Sequence, residues 1–515
     1  MSFLIMDTFG MKGGPRLGNQ LFQYASAYGL AKKYNKELRL PSWKYSPAFD
    51  SEFPLETFRD TGFGHVQEPG FHYSLVLPGG NVNIDRSYLQ SEKYFEDCKD
   101  DIKALFKFKK QFVIDCLSQF PQAFEKKTIA IHIRRSDYIN NRNYLNLSIP
   151  YYICTLQDNF PDWKNMNLIF FSDDIKYVKA HFGCLSNAFF SEHNTDIEDM
   201  CLMSQCDHFI LSNSTFAWWS TWLGEKPGSI IVRPTEYFRG KLKERCDDKD
   251  LWPERWRKSH VDKRISLNDT TFMIPVTYDH QDRKENFSLT MKFIENNFMT
   301  NVIVAEEGGQ TFLNGLNPSM CKYYPHDMKY FHRTKMLNNI ARRSETPIIF
   351  NWDADIIMSP VQVWQAIEKI REGADMVYPY DGRFAKVPRL WFKIISPDLD
   401  VSRFAGIAFN GLQEGRRASV GGAVAFNKES FFKGGGENEN YISYGPEDRE
   451  RFYRFTTLGF RIERVKGVLY HMNHFKGKNS LPIHENHTKN VAEHRKILSL
   501  GKNDLQNYVN SWPWK

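Results

Sequence analysis

Five short stretches hold residues whose types and spacing could do chemistry. In "IAIHIRRSDY" an apolar run ends in His132, Arg134, Arg135, Asp137 and Tyr138. Strand side chains alternate between faces, so two adjacent arginines cannot both enter a core. One must reach a cleft, and Asp137 stands near enough to orient the other. A planar guanidinium suits a diphosphate, while an ion pair at a strand end is the plainer alternative. In "ILSNSTFAWW" the residues Ser212, Asn213, Ser214 and Thr215 separate an apolar run from an aromatic helix start. Such residues cap a helix and offer hydroxyls and backbone N–H groups to a phosphate. "GGPRLGNQLFQYA" sets glycines, which let a backbone come close to a ligand, beside Arg16, Asn19 and Gln20 at the head of a helix. Arg16 could make a bidentate contact to a phosphate or to sugar hydroxyls. On these residues alone a tight strand-to-helix turn explains the stretch equally well. Finally, "TPIIFNWDADIIMS" is an apolar strand that breaks into Asp353-Ala-Asp355. An i, i+2 pair at a strand end can aim both carboxylates at one hard cation and its bound diphosphate. Further on, "YGPEDRE" places Glu447 and Asp448 after a Gly-Pro turn, a favourable place for acidic charge at a helix N-terminus.

Elements of one kind must position all of these. "KKTIAIHIRRSDY", "MNLIFFSDD", "CDHFILSNSTFAWW" and "GSIIVRPTEYF" each put a strand before a polar loop. That pattern predicts βαβ units around parallel sheets, with ligands gathered at the carboxyl ends of the strands. The run "KLKERCDDKDLWPERWRKSHVDKRISLNDT" is dense in charge, lacks periodicity and reads as a seam. At "TFMIPVTYDHQDRKENF" a strand, a polar loop and a helix start again. We expect an α/β protein of two domains, 1–262 and 270–515, since 515 residues exceed one core.

Bulk composition narrows the function classes. Hydrophobic residues make up 41% and charged residues 25%, as in ordinary globular proteins. Aromatics reach a high 15%; many will be core, but flat aromatic faces also serve sugar clefts. A net charge of +7 with a pI near 8.7 suits an anionic ligand or an acidic membrane surface, but is too mild and dispersed for nucleic acid. Eight scattered cysteines without a C-x-x-C pair predict a reducing compartment and no disulfide framework. No apolar run reaches the ~20 residues of a membrane span, and the start lacks the basic region of a signal peptide. The expected location is cytoplasmic, with peripheral association at the inner membrane face.

"RLGNQLFQYA", "HIRRSDY" and "SNSTFAWWSTWL", in this order, resemble the bacterial α-1,2-fucosyltransferases. The resemblance covers roughly the first half. It implies a metal-independent GT-B fold that transfers fucose from GDP-fucose to a galactose 2-hydroxyl with inversion. It implies that Arg134 and Arg135 hold the diphosphate and that His132 lies beside the donor. Ser212 to Phe216 would cradle the nucleotide, and Arg16, Gly18, Asn19 and Gln20 would line the sugar cleft. Asp137, Glu198 and Asp199 are candidates for the general base; Asp199 could equally bind the nucleotide base or cap a helix.

The second half, from about Phe272 to Lys478, is similar to the β-1,4-galactosyltransferase and chondroitin-polymerase-type GT-A enzymes. The similarity rests on "FHRTKMLNNIARR", the Asp-x-Asp, "SVGGAVAFNKESFFKGGG", "YISYGPEDRERFYR" and "YHMNHFKGK". It implies an inverting transferase that uses a UDP-sugar and manganese or another divalent ion. Asp355 would be a metal ligand and Asp353 a nucleotide or outer-sphere contact. His474 would complete the site, with His471, which stands where some relatives carry methionine, as an extra ligand. A histidine pair beside an Asp-x-Asp suits a divalent metal. Asp448 would be the base on the acceptor hydroxyl and Glu447 would hold the acceptor sugar. Tyr444 replaces a tryptophan common in that family. Arg333, Lys335, Asp279 and Arg283 are assigned to the donor, which could be UDP-galactose, UDP-N-acetylgalactosamine or UDP-glucose. The expected whole is a bifunctional transferase acting on a glycan or lipid-linked acceptor. One live domain beside an acceptor-binding module is the alternative, and a carbohydrate-binding scaffold a further one.

Overall fold

The computed structural model describes residues 2–10, 16–53, 62–309, 311–313, 316–326, 330–391, 399–404, 418–477, 481 and 485–515. The Gly-Gly-Pro turn at 13–15 and Lys478 lie outside the described residues. The chain forms two compact units. The first is Met1–Val178 with Leu185–Lys263, and the second is Lys179–Cys184 with Arg264–Lys515.

Two all-parallel sheets build the first unit, as the alternating strand-loop pattern predicted. One has the order Lys36–Arg39, Ser2–Ile5, Val82–Ile84, Gly64–Val66. The other runs Arg257–Ser259, Ile231–Pro234, His208–Ile210, Thr128–Ile133, Asn167–Ser172, Ala188–Phe190. All six residues of Thr128–Ile133 are buried, which is why this apolar strand sits inside a parallel sheet covered on both faces. Its carboxyl end delivers His132 and the two arginines to one edge.

Helices Leu17–Lys33 and Thr215–Gly224 meet at their N-terminal ends. A Cβ on Gly18 would stand 2.5 Å from the Thr215 carbonyl carbon, so glycine is what lets the two backbones touch. Behind this contact Trp218, Trp219 and Trp222 pack with Phe22 and Phe95 in the core. Much of the aromatic excess is therefore core. The charged run differs from its sequence reading as an aperiodic seam. It includes the helix Gly240–Arg245 and the edge strand Arg257–Ser259, and Leu251, Trp252 and Trp256 are buried. Apolar residues placed singly among charges bury without leaving any periodic signature.

The second unit is built on a seven-stranded mixed sheet of order Cys321–His326, Phe298–Glu307, Ile265–Thr277, Ile348–Trp352, Ala423–Asn427, Met376–Tyr378, Ile462–Arg464. The central strand Ile348–Trp352 is fully buried and runs straight into Asp353. A small sheet pairs Ile356–Ile357 with Val468–Met472, and Val468–Met472 with Arg383–Val387. Its register sets His471 opposite Ile356, next to Asp355. Helix Glu447–Leu458 starts on the paired acids and ends at Gly459, whose φ of 90° is the left-handed conformation glycine allows. All eight cysteines are free. Among the described residues no helix is long and apolar enough to cross a membrane.

Two candidate active sites

In the first unit the strand end after Ile133 becomes a cluster of charges. Arg134 donates to Asp137 at 2.5 Å and pairs with Asp173 at 2.8 Å. Asp137 also faces Arg16 at 3.5 Å, and Arg16 is mostly solvent-exposed. Arg135 is buried. Its guanidinium lies 3.4 Å from the Tyr177 ring centroid, a cation–π contact, and 3.4 Å from the Asp174 carboxylate. Its backbone N–H donates to Asp173 at 2.9 Å. Both arginines follow the last strand residue, Ile133, and both are largely enclosed, with 14% of the Arg134 side chain and 6% of the Arg135 side chain exposed.

The neighbouring loop is tied into the protein. His132 Nδ1 is 2.7 Å from the Ser212 hydroxyl, and its ring packs on Phe216. Burial pushes His132 down to about 4, although Asp173 pulls the other way, so the imidazole is neutral at pH 7. Asn213 donates to the Tyr237 carbonyl at 2.9 Å and Thr215 to Asn19 at 2.8 Å. Asn19 also accepts from Gln90, and Gln20 accepts from Trp43 Nε1, each at 2.9 Å. Two of the hydroxyls expected to face a phosphate have protein partners. Ser212 and Thr215 spend their hydroxyls on protein partners, and Ser214, at the N-cap, makes no side-chain cap bond. Arg16, at the N-cap of the other helix, makes none either, and neither helix has an acid in its first turn. Two helix N-termini thus adjoin with uncapped backbone N–H groups, an arrangement suited to an anion.

The other two acids lie in different surroundings. Glu198 closes a capping box with Thr195, and Asp199 is bonded to Ser191 and Asn194. Burial raises the Asp199 carboxyl despite those two bonds. Asp137 alone of the three base candidates belongs to the arginine cluster.

In the second unit a cavity of about 330 Å³ is lined by Asp353, Asp355, Arg333, Arg283, Glu447, Tyr444, His471 and His474 among others. Asp355 Oδ2 lies 3.1 Å from His474 Nε2 and 3.5 Å from His471 Nε2. One ligand atom from each of the three residues falls within a mutual 4.8 Å. Burial acts to raise the Asp355 carboxyl, but the imidazoles outweigh it and hold it well below the usual range. His474 Nδ1 donates to the Phe475 carbonyl at 2.6 Å and Nε2 faces Asp355; burial acts to lower the His474 imidazole, but Asp355 prevails and raises it. Asp355 Oδ1 is buried without a hydrogen-bond partner. A carboxylate with an unsatisfied oxygen and two imidazoles, one of them oriented by the Phe475 carbonyl, is a donor set that fits a divalent cation.

Arg333 ties this cavity to its neighbour. It donates to Asp353 at 2.7 Å and to Asp448 at 3.4 Å. Asp448 opens on an adjoining cavity of about 510 Å³ that shares Asp353, Tyr444 and His471 with the first. Arg451 donates to Asp448 Oδ1 at 2.8 Å and is itself paired with the buried Glu437. Asp448 Oδ2 faces Gly421, where an added Cβ would come within 2.6 Å of it. Burial works to raise the Asp448 carboxyl, but Arg333 and Arg451 prevail and lower it. Burial and the Asp448 charge push Glu447 up to about 8. Two adjacent acids therefore hold different protonation states at pH 7. Asp279 and Lys335 line neither cavity; Asp279 pairs instead with Arg283 at 2.6 Å.

Sequence reasoning missed Asp173, which holds both Arg134 and the Arg135 backbone. Its signal was the "SDD" closing the parallel strand next to Thr128–Ile133. It also missed Lys386 and Lys476, cations at the wall of the first cavity. Lys386 comes from a strand with no motif of its own.

Residues 46–256 match the family model Glycosyl transferase family 11, and residues 403–478 match the one described as N-terminal domain of galactosyltransferase. The chain is 25% identical over 277 residues to an alpha-1,2-colitosyltransferase of Escherichia coli, covering 47% of this chain and 94% of that protein. It is 30% identical over 299 residues to the O-antigen biosynthesis glycosyltransferase WbnK of Escherichia coli, covering 47% and 98%. A galactoside 2-alpha-L-fucosyltransferase of Caenorhabditis elegans is 22% identical over 293 residues, covering 49% and 79%. By a match that spans almost the whole of its 30%-identical relative, the chain belongs to glycosyl transferase family 11 through its first half, and it carries a galactosyltransferase-type domain in its second.

Proposed function

We propose that the chain is a bifunctional inverting glycosyltransferase. The first unit transfers L-fucose from GDP-fucose to a galactose 2-hydroxyl. The second transfers a hexose, galactose in our reading, from a UDP-sugar. The observation that carries this is the presence of two diphosphate-competent sites of different chemistry on one chain. One has arginines and uncapped helix N-termini; the other has an Asp-His-His triad beside a cavity. The α-1,2 linkage is supported by the names of the colitosyl and fucosyl relatives.

In the first unit, positive charge must meet the GDP diphosphate as it departs. Arg134 and Arg135, with the N–H groups at the start of Thr215–Gly224, supply fixed charge and dipoles there. His132, neutral and buried, packs beside the donor. Asp137 is our choice for the base on the acceptor hydroxyl. In the second unit, Asp355, His474 and His471 hold a divalent ion, Mn²⁺ by the resemblance, which when bound neutralises the UDP leaving group. Arg283, Arg333, Lys386 and Lys476 contribute further positive charge around the first cavity. The second cavity takes the acceptor. There Asp448, ionised and oriented by Arg333 and Arg451, removes the hydroxyl proton through Oδ2, and protonated Glu447, on the wall of the adjoining first cavity, donates a hydrogen bond to the acceptor sugar.

The two reactions form a sequence, since a galactoside made by the second unit is an acceptor for the first. Holding both sites on one chain raises the effective concentration of the intermediate. We place the reactions in O-antigen or related surface polysaccharide synthesis, on a glycan or lipid-linked acceptor. The cytoplasm and the inner membrane face are our proposed location, and 1–262 and 270–515 our proposed separable domains. The test is product formation by full-length protein from GDP-fucose and from UDP-galactose, UDP-N-acetylgalactosamine and UDP-glucose. We expect fucosylation of a galactoside and use of UDP-galactose. Refusal of GDP-fucose overturns the first assignment, and preference for another UDP-sugar replaces galactose in the second.

A further inference from the structure

We propose that a lysine-edged apolar cavity on the first unit is where the protein rests on an anionic phospholipid surface. The proposal deepens the reading that the protein works at the inner membrane face, and rests on it. The cavity, of about 470 Å³, lies among helices Lys99–Leu105 and Lys110–Ser118 and the carboxyl ends of helices Asp196–Ser204 and Thr215–Gly224. Phe106, Phe108, Val113 and Leu223 give it apolar walls, and Ile114 beside them is 46% exposed. Leu223 stands about 12 Å along its helix from Thr215, so the cavity lies apart from the candidate site at that helix's start.

Lys103, Lys107 and Lys110 stand exposed at the edge of this cavity. Other lysines of the same unit are spent on acids: Lys32 on Asp101, Lys93 on Asp250 and Lys99 on Glu92. The three at the cavity pair with no acid among the described residues, and Lys103 lies over the Trp222 ring at 5.4 Å. Against them the lining sets a single carboxylate, that of Asp50. Local structure does not account for these cations. Lys110 opens its helix, where a cation opposes the dipole, and no acid in the first turn offsets it. The carbonyl end of Asp196–Ser204 is already served by Lys226, whose Nζ donates to the Gln205 and Cys206 carbonyls at 2.9 and 3.4 Å.

Unpaired ammonium groups around an apolar hollow match an amphiphile whose phosphate meets the lysines while its chain enters between the phenylalanines. A bilayer containing anionic phospholipid presents many such groups at once, and each lysine near its surface adds to the attraction. Lysine stems lie along apolar surface and keep their charge at headgroup level. A nucleic acid would meet the lysines but leave the apolar walls and Ile114 without a partner, so the lipid surface is the better match.

The test sediments full-length protein with vesicles of equimolar phosphatidylglycerol and phosphatidylethanolamine, and with vesicles of phosphatidylcholine alone. We expect binding to the first and not to the second. The triple variant Lys103→Gln, Lys107→Gln, Lys110→Gln should partition at least ~30-fold less, and Ile114→Asp alone ~10-fold less. A charge-matched control, Lys433→Gln, Lys489→Gln, Lys502→Gln, removes exposed lysines of the second unit and should stay within about threefold. Melting temperatures by calorimetry check that each variant is folded. If the control falls as far as the cavity triple, the attraction is diffuse and the proposal is wrong. Unchanged binding by Ile114→Asp would make the contact purely ionic and overturn it as well. If the cavity triple binds like the unmutated protein, the proposal is wrong while the inner-face reading stands. If the unmutated protein binds neither kind of vesicle, that reading falls and takes the proposal with it.

Discussion

On the function proposed above, the two units meet one demand, neutralising a diphosphate, with opposite materials. The first assembles cations and backbone dipoles: Arg134 and Arg16 around Asp137, and two uncapped helix N-termini brought together by Gly18. The second assembles ligands: one carboxylate and two imidazoles, with Asp353 and Asp448 bridged by Arg333. On that reading the first site meets an anion with arginines and backbone N–H groups already in place. A site of negative and neutral ligands meets an anion only through a cation. The fold explains the division. Parallel strands of the first unit end beside helix N-termini, whereas in the second a small sheet sets two histidines against an aspartate at a strand end.

Chelation tests that contrast most severely. EDTA should bring transfer from the UDP-sugar to background and leave fucosylation of a preformed galactoside within about twofold, measured on one preparation with each donor separately. Loss of both activities would mean that the first site also needs an ion. Next, Arg134→Ala should reduce GDP-fucose turnover by ~100–1000-fold, as for a lost charge-stabilising group, with the UDP-sugar reaction little changed. Near-normal turnover would move the diphosphate away from the arginine cluster. Asp448→Asn should lower kcat of the second reaction by at least ~100-fold while UDP-sugar affinity, read by calorimetry, holds. A collapse in donor affinity instead would make Asp448 a donor-binding residue.

The smallest effect concerns stability, where the two units should respond to pH in opposite directions. Folded Glu447 titrates at about 8 against an ordinary value of 4.5. Its contribution is fully present below 4.5 and is lost as pH rises through 8, because only the folded chain keeps the proton. Folded His132 titrates at about 4 against 6.5. Its contribution is present above 6.5 and is lost as pH falls through 4, because the unfolded chain takes up the proton first. Glu447→Gln should therefore raise the melting temperature near pH 8, and His132→Asn should flatten the loss below pH 6. Each effect is about 2–4 °C by calorimetry for units of this size. A Glu447→Gln gain that does not grow with pH would show that the Glu447 carboxyl is not raised.

What the sequence determined by itself was local and periodic. Continuous apolar runs such as "TIAIHI" specify buried parallel strands, because hydrophobicity on both faces can be satisfied nowhere else. The polar residues that follow them mark where ligands can gather. Asp353 and Asp355 declared a shared strand end by their spacing alone. Tertiary structure decided whatever depends on which loops become neighbours. Asp173 joins Arg134 only because two strands far apart in sequence pair in register. Asp199 leaves the list of free acids because Ser191 and Asn194 reach it, and Lys386 arrives from a strand of another sheet. Lys103, Lys107 and Lys110 belong to no chemical motif, yet one cavity sets them beside Ser204 and Leu223 from two other helices. Hydrogen bonds and ion pairs act over a few ångströms of space, and spacing along a chain reports such distances only within one strand or one helical turn.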